Sequence, residues 1–99
     1  MDTVEISIPT THDSAALIAR IERAASAEGL NIGERMTLRT CPGSIHWHLR
    51  RPGVKGVLEL TYWPSRSRLW FAVHTNRRAD WIAPSIERLR ARFQQLQEW

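Results

Sequence analysis

The hydrophobic positions of this chain repeat with two different periods, and the switches between them divide it into elements. In TVEISIP, Val4, Ile6 and Ile8 alternate with Thr3, Glu5 and Ser7, the period of a half-buried strand, which Pro9 ends. THDSAALIARIERAASAEGL changes to steps of three and four, with Leu17, Ile18, Ile21, Ala24 and Ala25 on one apolar stripe. Thr11 or Asp13 supplies the cap of this helix and Gly29 its stop. RMTLRTC returns to period two, with Met36, Leu38 and Thr40 on one face, and closes in the turn from Cys41 to Ser44. Three further strands, SIHWHLR, GVLELTYW and RLWFAVH, are separated by short turns at Pro52-Gly53 and Pro64 to Ser67, which makes them antiparallel neighbours. The last segment, DWIAPSIERLRARFQQLQEW, spaces Ile82, Ile86, Leu89, Phe93 and Leu96 as an amphipathic helix. Asp80 is placed to cap it, and Pro84 fits because it falls in the first turn.

The order β-α-β-β-β-β-α predicts a two-layer α+β fold with one antiparallel sheet. Each helix has a single apolar stripe, so both helices belong on the same face of the sheet. The strands agree, since Ile45, Trp47 and Leu49, then Leu58, Leu60 and Tyr62, then Leu69, Phe71 and Val73 form matching apolar faces. Trp47, although it sits between two histidines, is therefore a core residue. The opposite face is expected to be open and to carry His46, His48, Glu59, Thr61, Trp63, Arg68, Trp70 and His74. A register that keeps both faces intact puts Trp63 beside Arg68, His46 beside Thr61 and Trp70, and His48 beside Glu59 and Ala72. Arg50, Val57 and His74 form a last row.

Ninety-nine residues are the length of one domain, with room for one modest core. The N-terminus has neither the basic nor the apolar region of a secretory signal, and no apolar run is long enough to span a bilayer. A single cysteine, Cys41, excludes an internal disulfide, and the expected compartment is the cytoplasm. The net charge of +4 conceals a division. From Arg35 to Arg78 there are nine basic residues against the single acid Glu59, while the rest of the chain has five basic residues and nine acids. A field of this kind attracts polyanions. Thirteen of the fourteen basic residues are arginine, the side chain suited to bidentate phosphate contacts. Genomic base composition also raises arginine content, but it does not account for the clustering.

Strand direction sharpens the picture. The loop from Arg51 to Gly56 and the passage from His74 into the last helix belong at one end of the sheet, which gathers Arg50, Arg51, Lys55, Arg77 and Arg78. The free N–H groups at the start of the last helix favour anions there as well. With Trp63 and Trp70 available to stack and Arg68 and His74 on the same face, the expected function is a small non-enzymatic binding module. Its expected partner is single-stranded nucleic acid or another phosphate-bearing ligand. The alternative is a protein-interaction module or homodimer built on the tryptophan face. A third reading is a small enzyme using His48 and Glu59 as an acid–base pair, although the chain has no Gly-rich phosphate loop, carboxylate dyad or activated nucleophile. If a metal were bound, its ligands would be His46, His48 and Glu59. Strand histidines without metal are far commoner, so the sequence assigns no metal and no cofactor.

Overall fold

Strands and helices form where the two hydrophobic periods place them, with one exception described below. The computed structural model describes residues 1–8 and 13–95, so the roles expected of Pro9, Thr11 and Leu96 lie outside the described residues. The elements are β1 (Asp2–Ile6), α1 (Ser14–Ala27), β2 (Asn31–Ile32), β3 (Ile45–Arg50), β4 (Leu58–Trp63), β5 (Arg68–Val73) and α2 (Ile82–Gln95). All strand pairs are antiparallel, and the sheet order is β1-β5-β4-β3-β2. Short 3-10 turns at Pro64–Arg66 and Thr75–Arg77 follow β4 and β5.

The expected faces and register are present in the central strands. His46 opposes Thr61, which opposes Trp70; His48 opposes Glu59, which opposes Ala72; Trp63 opposes Arg68. Trp47, Leu49, Leu58, Leu60, Tyr62, Leu69 and Phe71 are fully buried in one cluster. Leu17, Ile21, Ala24 and Ala25 of α1 and Ile82, Ile86, Leu89 and Phe93 of α2 join that cluster, so both helices cover the same face of the sheet. This is a two-layer α+β fold.

Local chemistry sets the helix ends. The Asp13 carboxylate accepts the backbone N–H groups of Ala15 and Ala16 at 3.0 and 3.3 Å, satisfying donors that the first turn leaves unpaired. At the other end, Leu30 donates to the carbonyl of Ala25 and Gly29 to that of Ser26, with Gly29 at φ +76°. This is the αL termination expected of a glycine. Helix α2 starts at Ile82, so Asp80 stands one position too early to cap it, and Trp81 occupies the cap position. Pro84 is the third residue of α2, where its missing N–H is not needed.

The buried Trp47 indole donates to Glu22 on α1 at 3.1 Å, and two 2.8 Å hydrogen bonds from Arg35 hold that carboxylate in place. The Arg35 hydrogen bond keeps the Glu22 carboxyl below the usual carboxylate range, against the opposing effect of burial. One buried indole is thereby tied to both a helix and the loop beyond β2.

The strand expected at 35–41 is the exception. The edge strand lies earlier, at Asn31–Ile32, opposite Arg50 and Leu49, and Met36 then makes one isolated bridge to His46. Three edge residues, 33–35, thus span only two of β3, 47–48, which is a bulge of one extra residue. The bulge puts Met36 opposite His46 and on its face rather than in the core, and Met36 remains 37% exposed. Beyond it, Cys41 donates to the carbonyl of Leu38, and Leu38 donates to the Ser44 hydroxyl. These bonds fold the rest of the segment into a turn and remove it from the ladder.

Candidate functional site

The face of the sheet away from the helices is not open along its length, contrary to expectation. His46, Glu59, Thr61, Ala72 and Val57 are all buried. The bulged segment folds back beside them, and Met36, Thr37 and Leu38 wall one side of a depression of about 470 Å³ whose floor is His46, His48 and Glu59. A strand-by-strand assignment of faces has no way to include a loop returning over the sheet.

Glu59 lies on the central strand, and its two oxygens reach in opposite directions. Oε1 is 3.1 Å from Nε2 of His46 on β3, and Oε2 is 2.8 Å from Nε2 of His74, just past β5. His74 is therefore part of the same cluster as His46, although their rows in the sheet differ. The expected acid–base pair is also rearranged. His48 opposes Glu59 across the ladder, but the carboxylate's short contacts are to His46 and His74.

Burial pushes the His46 pKa down, with the Glu59 charge raising it only in part. A neutral imidazole donating Nε2–H to Glu59 must accept at Nδ1, and Thr61 Oγ1 lies 2.7 Å from that atom. The network thus assigns the tautomer and makes Thr61 the donor. The His46 and His48 rings meet edge to face at 5.1 Å. His48 is also shifted downward, by burial first and then by Arg77, Arg50 and His74, with Glu59 opposing.

A second concavity lies at the end of the sheet where β3 finishes and β4 begins. Two hydrogen bonds join its loops, from the Val57 N–H to the Arg77 carbonyl at 3.1 Å and from the Trp81 indole to the Lys55 carbonyl at 2.9 Å. Between them is a shallow cleft of about 540 Å³ walled by Arg51, Val54, Lys55, Arg78, Asp80 and Trp81. Gly56 permits this approach, since a Cβ at its φ of +111° would lie 2.7 Å from the Ala79 Cβ. The start of α2 opens on the same cleft.

The arginines divide by engagement. Arg78 is in this cleft but pairs with Asp2. Arg68 makes a bidentate pair with Glu5 at 2.8 and 3.0 Å and lies 4.5 Å over the Trp70 ring. Neither pair was visible in the sequence pattern, because it does not say that β1 runs beside β5. Arg50, Arg51, Lys55 and Arg77 have no ion-pair partner among the described residues. Trp63 and Trp70 are half-buried, and Trp63 donates to the Pro42 carbonyl at 2.9 Å. β4 runs away from the cleft, so Trp63 at its far end lies roughly 17 Å along the strand from Leu58. Trp81 is the aromatic residue in the cleft itself; only its position beside Asp80 at the helix start hinted at that.

A two-layer α+β scaffold presenting a basic cleft beside a buried histidine–carboxylate cluster is the class of molecule that these features define. Compared with known proteins, the chain matches no family model, no curated protein and no solved structure.

Proposed function

We propose that this protein is a non-enzymatic module that binds a phosphate-bearing ligand, with single-stranded nucleic acid the leading candidate, in the basic cleft at the end of the sheet. The observation that carries this reading is the presence of Arg51 and Lys55 in one cleft with no ion-pair partner among the described residues, with Arg50 at the end of β3 and Arg77 beside the neighbouring His48 depression equally unpaired at the same end of the sheet. Unpaired like charges repel one another, and an anion bound among them relieves that cost. Arg51 and Lys55 contact phosphate in the cleft, and Arg50 and Arg77, at the same end of the sheet beside the His48 depression, extend the contacts to further phosphates. The start of α2 adds little, because Ile82 already donates to the Ala79 carbonyl, Ser85 to the Trp81 carbonyl, and Pro84 has no N–H. Asp80, on the opposite wall, opposes an anion and tunes affinity downward. Trp81 provides the aromatic wall, whereas Trp63 and Trp70 lie farther along the sheet, Trp70 beneath Arg68.

The self-association reading has less support. The exposed large hydrophobic residues among the described ones are Met1, Met36 and Val54, with neither Trp63 nor Trp70 among them. No helix among the described residues is long and apolar enough to cross a membrane.

Titration of a labelled mixed-sequence single-stranded oligonucleotide tests the proposal, with inorganic phosphate and a mononucleotide as separate arms. Neutralising about four phosphates predicts a slope of roughly −3 for log K against log salt. Arg51→Ala and Lys55→Ala each reduce that slope by about 0.7, and Asp80→Asn strengthens binding. Binding of mononucleotide but not oligonucleotide restricts the ligand to small phosphates. Absence of binding in all arms at low salt refutes the proposal.

A further inference from the structure

The cluster beneath the bulged loop has the chemistry of a metal site. One donor atom from each of His46, His48 and Glu59 lies within 4.8 Å of the others. We propose that His46, His48 and Glu59 bind a divalent transition-metal ion of the zinc class, with Thr61 and His74 as the partners that orient two of the ligands.

Geometry is the first support. Metal–ligand bonds of about 2.0–2.2 Å put tetrahedral ligand atoms roughly 3.3–3.5 Å apart. His46 Nε2 and Glu59 Oε1 are already at 3.1 Å, and the His48 ring packs edge to face against His46 with a centroid distance of 5.1 Å. Two imidazoles and one carboxylate suit zinc and its neighbours rather than calcium or magnesium, which prefer all-oxygen sites.

The scaffold is the second support. His48 and Glu59 face each other directly across the β3–β4 ladder, and His46 is two residues along the same face. Ligands in the middle of a sheet are held more precisely than ligands on loops. Their other atoms are also held. Thr61 Oγ1 meets Nδ1 of His46 at 2.7 Å, and His74 Nε2 meets the second Glu59 oxygen at 2.8 Å. Metal-binding histidines and carboxylates characteristically have such partners. When the metal takes Nε2 of His46, the proton moves to Nδ1 and Thr61 changes from donor to acceptor.

Access is the third support. The ligands form the floor of the 470 Å³ depression, so a fourth coordination position faces solvent and takes water or an anionic oxygen. Arg77 lines this depression and disfavours a bare cation there. Its charge favours an anion on that fourth position.

The test uses the full chain, stripped with a chelator and titrated with Zn²⁺ calorimetrically, with elemental analysis after gel filtration. One ion per chain is expected. His48→Ala preserves the His46–Glu59–His74 contacts and so keeps the fold, yet weakens affinity about tenfold or more, and Thr61→Val weakens it by about tenfold. Cys41→Ser leaves it unchanged, and so does Arg51→Ala, which separates this site from the anion cleft. A wild-type protein that retains no zinc, or a folded His48→Ala that binds as tightly as wild type, overturns the proposal.

Discussion

Gly56 concentrates much of the architecture of the basic end in one residue. Its φ of +111° is strained for any side chain, and an added Cβ would fall 2.7 Å from the Ala79 Cβ and 3.0 Å from the Trp81 indole nitrogen. Both are contacts between the loop after β3 and the entry to α2. Gly56→Ala is therefore expected to cost about 2–3 kcal/mol, through backbone strain and the displaced loop together. Urea unfolding checks this, and a variant as stable as wild type would show that the loops are not clamped there. At this scale the sequence was only partly informative. Trp47 could be assigned to the core because its neighbours alternate cleanly. The burial of His46 and Glu59 could not, because it depends on a loop whose path is set by a one-residue bulge that leaves no periodic trace. Gly56 stood in the sequence only as the end of the loop from Arg51, since the residue that crowds it is 23 positions away.

Between elements, the end of α1 is clasped to α2 by one carboxylate. Glu28 accepts from Arg88 at 2.6 Å and from Arg92 at 2.5 Å, and those hydrogen bonds, Arg92 first, hold its carboxyl below the usual range against burial. A carboxyl with a lower pKa in the folded state contributes stability that is complete above its unfolded value of about 4.3. That contribution disappears as pH falls through the folded value. Glu22, lowered by Arg35, acts in the same direction. Glu28→Gln should therefore lower the thermal midpoint at neutral pH and flatten its decline on acidification; identical pH profiles would refute the clasp. The hydrophobic periods made both helices and the three central strands legible, since each has a continuous apolar face and clear breakers. Residues 35–41 also alternate, but alternation is only a local condition. A strand needs a partner in register, and the bulge and the Leu38–Cys41 turn withdraw these residues from β3 after one bridge.

For the whole molecule, the sheet separates two jobs. One face is sealed by both helices, and the other holds the histidine–carboxylate cluster in its middle and the basic cleft at one end. Antiparallel topology brings the two arginine-bearing loops together, and this was deducible from strand direction alone. Which of those arginines are neutralised was not, because Asp2 and Glu5 reach Arg78 and Arg68 only once β1 is placed beside β5. Anion entry between Arg51, Lys55 and Trp81 is the proposal on which the assignment of this cleft depends. It is tested most directly by the amide and indole N–H spectrum of isotopically labelled protein during oligonucleotide titration. Progressive shifts are expected at the Trp81 indole and at the backbone of residues 50–57 and 77–81, with the Trp63 indole unchanged. Shifts centred on the Trp63 and Trp70 indoles, with the Trp81 loop unmoved, would contradict it.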